Sequence, residues 1–344
     1  MKNVLLAIGL ALAPWFACCV RAEAPRQTLN ILYFVPSDME PLPGHARRLG
    51  RILREVRDFY NRELERNGSE ARLRMPLDPE TGLVALEIVR AKRPLAEYPY
   101  ATGGGVALPE INAYLAAHPR DDRSDRTLVI MPTRGEPTVP FYGFGAYCFA
   151  LDYEGFDFQD CGRRTPAGEK FSKWYGGLAH ELGHGLGLPH THATVSQERA
   201  GLGTALMGAG NTTLGLSPTF LTPPDCAFLE SSSPCRVFQP RPLARLNGLA
   251  KLDVERTGGA VRVSGTLLPA PHSVRRLVAA YDKDAVGGVN DNYDAESFLV
   301  PLEGETFDFS FPMEEIHPGK TAKAQVQLRF IHDDGTVELI LKDL

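Results

Sequence analysis

One stretch constrains this chain more than any other: His180-Glu181-Leu182-Gly183-His184-Gly185-Leu186-Gly187-Leu188-Pro189-His190. Residues four apart on an α-helix lie on one face, so His180 and His184 can present their imidazoles to one metal ion. Glu181 is one step round the helix, near enough to reach a metal-bound water without ligating the metal. Gly187 tolerates positive φ without a steric cost, so the backbone can turn sharply there. That turn returns His190 as a third ligand. Three neutral histidines leave a fourth position for water, the arrangement of a catalytic zinc rather than a structural one.

The spacing is that of the extended H-E-x-x-H-x-x-G-x-x-H signature, and the chain resembles the metzincin clan of zinc endopeptidases. Downstream, Ala205-Leu206-Met207-Gly208 resembles the clan's Met-turn, which places Met207 beneath the metal. The resemblance covers about residues 28–240. It implies an α+β catalytic domain: a twisted mixed sheet with long helices and the zinc helix at the cleft. It also implies one catalytic Zn²⁺ on His180, His184 and His190, with Glu181 as general base for a zinc-activated water. Two positions depart from better-known subfamilies. Thr191 follows the third histidine, and Ala209 stands where astacin-like members carry a tyrosine, so no tyrosine helper is carried over. Two further residues compete for the metal: His192, two beyond His190, and Glu198, which could imitate the glutamate ligand of gluzincins. The Gly187 turn favours His190 over the first. The Ser196-Gln197-Glu198-Arg199 surroundings of the second read as solvated loop.

Residues 1–22 read as a cleaved signal peptide, with Lys2 as the positive end, Val4–Ala17 as an apolar run too short to span a bilayer comfortably, and Val20-Arg21-Ala22 before the cut. A secreted or periplasmic location is therefore expected, with no integral membrane segment. Of the six cysteines, Cys148, Cys161, Cys226 and Cys235 lie beyond that cut. An oxidising compartment favours two disulfides, and nearest-neighbour pairing gives Cys148–Cys161 and Cys226–Cys235. A formal charge of −5 carries no footprint for nucleic acid or anionic lipid; the resemblance implies a protein or peptide substrate, and a monomer is expected.

Periodicity predicts a buried strand at Thr28–Val35 and a helix from His45 to Asn67 whose arginines, Arg47, Arg48, Arg51, Arg54 and Arg57, interleave with acids on a solvated face. It also predicts strands at Leu83–Val89 and Thr127–Met131, a helix at Leu108–Ala117 opening at Pro109, and one or two edge strands within Phe141–Tyr153. Ser172 is the expected cap of the zinc helix, and Thr222-Pro223-Pro224-Asp225 opens a short helix. Near Arg241–Gly248 the pattern changes to short alternating runs, predicting domains 23–248 and 249–344, the second an all-β sandwich-like accessory domain. Within it Asp282, Asp284, Asp291, Asp294 and Glu296 could bind Ca²⁺, but their spacing is not that of an EF-hand, and a polar loop is favoured.

These readings predict a secreted zinc metalloendopeptidase. The alternative is an exported, catalytically silent scaffold that binds a glycan or protein through its β-domain. Retention of Glu181, which a scaffold does not require, favours the enzyme.

Overall fold

The computed structural model describes residues 26–99, 103–135, 141–238, 249–268, 274–283, 293–319 and 324–344. The proposed leader at 1–22 and the proposed boundary at 241–248 lie outside these, as do Asp284 and Asp291.

The N-terminal part is a five-stranded sheet in the order β2-β1-β3-β5-β4. Its strands are β1 (Thr28–Val35), β2 (Glu87–Arg90), β3 (Arg123–Pro132), β4 (Phe141–Phe144) and β5 (Tyr147–Asp152). All neighbours run parallel except β4, which forms an antiparallel hairpin with β5 at the sheet edge. Both faces of a parallel sheet must be covered, which explains why β1 is buried almost throughout. One face packs on α1 (His45–Arg66) and α3 (Pro166–Gly185), the other on α2 (Gly103–Ala117).

Local chemistry accounts for these helices, with three departures from the sequence expectations. In α1, Leu49, Ile52, Leu53, Val56, Tyr60 and Leu64 form one buried stripe, as their spacing requires. Arg48, however, is buried rather than solvated. Its guanidinium makes two bonds to the Asp152 carboxylate, at 3.0 and 3.1 Å, and Tyr33 donates to the same carboxylate at 2.9 Å. This pair ties α1 to the end of β5. Helix α2 carries Pro109 inside it instead of at its start. Helix α3 begins at Pro166, capped by Thr165 accepting from the Gly168 N–H; Ser172 lies within it, buried, donating to the Leu214 carbonyl at 2.8 Å.

After α3 come α4 (Val195–Arg199), the parallel two-residue pair β6 (Thr204–Ala205) and β7 (Thr219–Phe220), and α5 (Pro223–Ser231). Helix α5 opens with the Thr222/Asp225 capping box.

The C-terminal part is all-β. Strands β8 (Leu249–Thr257), β9 (Ala260–Leu267) and β12 (Thr306–Pro312) form a three-stranded sheet in the order β12-β9-β8. Strands β10 (Val274–Lys283), β11 (Glu296–Val300), β13 (Ala324–His332) and β14 (Val337–Asp343) form a four-stranded one, β11-β10-β13-β14. Val261, Val263, Phe307 and Phe311 of the first meet Leu277, Tyr281, Val326 and Phe330 of the second in one core, the expected sandwich. This part is not detached: Val278 and Ile331 belong to the core that also holds α1, α3 and α5, and Arg276 pairs with Glu230 at 2.8 Å. Among the described residues no helix is long and apolar enough to cross a membrane.

The expected disulfides are corrected. Cys148, Cys161, Cys226 and Cys235 are free thiols. Cys148 faces Gly185 of α3, Cys161 Sγ lies 3.9 Å from the Gly215 carbonyl, and Cys226 Sγ lies 3.8 Å from the Glu63 carbonyl. Strand β5 and helix α5 fix the directions of Cys148 and Cys226 toward those neighbours, and a disulfide needs Cβ atoms that face each other. Burial pushes all four thiols up, away from the reactive thiolate.

Candidate metal centre

Helix α3 ends where the site begins. The Gly187 N–H bonds the His184 carbonyl at 2.9 Å and the Leu188 N–H bonds the Gly183 carbonyl at 3.0 Å. These two bonds form a Schellman closure, with Gly187 at φ 103° in the left-handed position. The chain thereby folds back, and the expected His180, His184 and His190 meet. His184 Nε2 lies 3.2 Å from His180 Nε2 and 3.0 Å from His190 Nε2.

Each helical imidazole is oriented from behind. His180 Nδ1 bonds the Leu206 carbonyl at 2.7 Å, and His184 Nδ1 bonds the Leu188 carbonyl at 2.9 Å. With Nδ1–H donating to a carbonyl, each Nε2 keeps its lone pair for the shared point. Burial lowers the pKa of His180 to about 3 and of His184 to about 4, so both are neutral at physiological pH. The Nε2 lone pairs of His180 and His184 face each other at 3.2 Å and would repel; a divalent cation of the zinc type, shared with His190, fits this donor set.

The floor and walls are equally specific. Met207 is fully buried, packed against Gly183 of α3. A Cβ at Gly183 would lie 2.5 Å from Met207 Sδ and 3.0 Å from Tyr60 Oη, so only glycine lets the methionine approach. Tyr60 in turn donates to the Ala179 carbonyl at 2.7 Å. Glu181 sits beside the triad against β4: the Gly143 N–H donates to its carboxylate, and a Cβ at Gly143 would come 3.3 Å from Glu181 Oε2. Burial outweighs that bond and raises the Glu181 pKa to about 7.

The two competing residues are not at this centre. His192 and Glu198 lie together elsewhere, with His317. One residue at the centre was not foreseen. Tyr293 stacks on His190 with ring centroids 3.6 Å apart and planes at 26°, and lies 6.0 Å from the His180 ring. It comes from the loop before β11, and the strand behind it is pinned by the His192 N–H donating to the Ala295 carbonyl at 2.7 Å. Two of the acids named above as possible Ca²⁺ ligands are enclosed near this strand. Asp282 and Glu296 are buried, and Glu296 pairs with Lys283 at 2.5 Å.

The fold and the site define an α/β protein with a C-terminal antiparallel sandwich and a three-histidine centre built on one helix and its following loop. No family profile and no curated protein sequence matches the chain. Among solved structures it is similar to wild-type OgpA from Akkermansia muciniphila, at 36% identity over 94% of each chain with a TM-score of 0.86. The figures are the same for catalytically inactive OgpA in complex with an O-glycopeptide (glycodrosocin) substrate. A second crystal form of wild-type OgpA gives 34% identity, 98% and 97% coverage, and a TM-score of 0.84. The chain belongs to the OgpA family.

Proposed function

We propose that the chain is an exported zinc-dependent endopeptidase of the metzincin type that cleaves peptide bonds in O-glycosylated peptides. The carrying observation is the convergence of the His180, His184 and His190 imidazoles, the first two held neutral by burial, with the Glu181 carboxylate beside them. The chain matches, nearly end to end, a protein whose inactive form holds an O-glycopeptide.

When bound by His180, His184 and His190, zinc supplies a Lewis acid that acidifies water and draws electron density from the scissile carbonyl. Glu181 provides the base. A carboxyl near neutrality both accepts a proton from the attacking water and releases it to the departing amine nitrogen. The Gly143 N–H holds that carboxylate against β4, so the base and the edge strand keep one register. Strand β4 is the edge of its sheet among the described residues, and a substrate strand added along it would meet the base through backbone hydrogen bonds. Tyr293 covers one face of His190 and fixes the plane of that ring.

Glu181→Gln tests the assignment. It keeps the side chain's size and removes the basic oxygen. Turnover of an O-glycopeptide should fall by about 10²–10⁴, while elemental analysis finds zinc content unchanged. Unchanged turnover would remove Glu181 from the mechanism.

A further inference from the structure

Independently of the peptidase reading, the structure holds a second group of metal-binding side chains, and it lies where the two parts of the molecule meet. We propose that His192, Glu198 and His317 bind a second divalent transition ion, zinc by their donor set, which clasps the C-terminal sandwich to the loop that carries His190.

The three residues come from three segments: the loop after the catalytic histidines, helix α4, and the chain just beyond the single turn at Met313–Glu315 that follows β12. Their ligand atoms lie within 4.8 Å of one another, with His317 Nε2 and Glu198 Oε2 3.1 Å apart. The His192 and His317 rings meet edge to face, at 4.9 Å and 75°. The catalytic pairs have the same form: His180–His184 at 4.8 Å and 86°, His184–His190 at 4.5 Å and 82°.

The orientation from behind is repeated too. His192 Nδ1 bonds the Ala193 carbonyl at 2.8 Å, and His317 Nδ1 bonds Glu296 Oε1 at 2.9 Å. Both Nε2 atoms thus face the group, where His317 Nε2 bonds Glu198 Oε2 at 3.1 Å, the contact that an ion would bridge. Glu296 is fully buried, accepts from the His317 backbone N–H at 3.1 Å and is held by Lys283, so it is a fixed support. A carboxylate behind a histidine raises the ligand's basicity and locks its tautomer, the usual outer arrangement of a zinc histidine.

Two imidazoles and one carboxylate form an N₂O set that suits zinc and leaves room for water. Glu198 is about half exposed, so an ion can reach the group from solvent. The ion would link segments more than a hundred residues apart in sequence, where a crosslink removes most chain freedom. The adjoining contacts point the same way. Ser196 N–H donates to Glu315 at 3.0 Å, and His192 N–H donates to Ala295, so α4 and the metal-binding loop already lie against the sandwich.

The test uses the full chain, stripped with chelator, dialysed and titrated with zinc, with bound metal counted by elemental mass spectrometry. Wild type should saturate at two zinc ions per chain. His317→Gln and Glu198→Gln should each saturate at one, and both should unfold at a lower temperature than wild type only when zinc is present. His184→Ala, which removes a ligand of the catalytic centre, should also bind one, and Co²⁺ replacing zinc in that variant should give the absorption of a nitrogen- and oxygen-bound ion. Glu198 is on an exposed helix, so its variant folds even if His317→Gln does not. One zinc in both wild type and Glu198→Gln with none in His184→Ala, or two zinc ions retained by Glu198→Gln, would overturn the second site. Failure of the catalytic centre instead would leave one zinc in wild type and His184→Ala and none in Glu198→Gln, so the failures of the two sites are distinguishable.

Discussion

Residues 166–190 and residues 293–317 both reach the metal centre, and they do so by opposite means. The first stretch is self-contained. A capped helix puts His180 and His184 on one face, two backbone bonds close the helix at Gly187, and His190 arrives within one turn of chain. The second stretch has no local order of that kind. Tyr293, Ala295 and His317 are placed by strands paired far away in sequence and by a buried Glu296–Lys283 pair. Ligand positions are therefore set by short-range geometry. The lid over His190 is set by how the sandwich sits on the rest, and the two can be broken separately.

The largest break is removal of the sandwich. A chain of residues 23–248 keeps His180, His184 and His190 but loses Tyr293, the Ala295 carbonyl, His317, and the Val278 and Ile331 side chains packed in the main core. That fragment should lose solubility, or turn over an O-glycopeptide about a hundredfold more slowly than the full chain. Full turnover by the fragment would make the sandwich a mere attachment.

A smaller and more local break lies under α3. Gly183→Ala puts a methyl 2.5 Å from Met207 Sδ in a filled core. Overpacking costs about 1–3 kcal/mol, of which helix propensity returns up to about 1 kcal/mol. Denaturant unfolding should show a net loss, together with weaker zinc binding because His180 and His184 flank the site of strain. Equal stability would mean Met207 moves freely.

The effect with least bearing on the centre is in α5. Burial raises the Asp225 carboxyl from its ordinary 3.8 to about 7. Between those values the unfolded chain gives up this proton and the folded chain keeps it. This group therefore lowers stability as pH rises from about 4 to about 7, then contributes no further change. Asp225→Asn keeps an oxygen to accept from the Thr222 N–H and should flatten that slope in thermal unfolding across pH. An unaltered slope would assign it to other groups.

How much of this could be read from the sequence follows the same division. His180, Glu181, His184, Gly187, His190 and Met207 are legible because their chemistry depends on spacing along a few turns. The edge strands β4 and β5 are legible from an aromatic, Gly-rich run, and the sandwich from alternation. Tyr293 is not: nothing in its own neighbourhood marks a ring that will lie on a histidine a hundred residues earlier. Arg48 reads as one more arginine on a charged helix, and only the approach of Asp152 makes it interior. Ser172 is a plausible cap by residue type, but Thr165 followed by Pro166 and Glu169 is the stronger start signal, and it is Thr165 that accepts from the Gly168 N–H. Compartment and separation in the chain favour paired cysteines, whereas a disulfide depends on side-chain direction, which the fold sets and the sequence does not display.

The central claim is that the three-histidine centre cuts the peptide backbone of an O-glycosylated peptide. Its most direct test is mass spectrometry of one O-glycopeptide and its unglycosylated twin, incubated with the full chain as purified, after chelation, and after zinc is restored. The account predicts backbone fragments from the glycopeptide, their loss on chelation and their return with zinc, with the twin left intact. A zinc-loaded chain that binds the glycopeptide and leaves it whole would contradict the account and favour a silent scaffold.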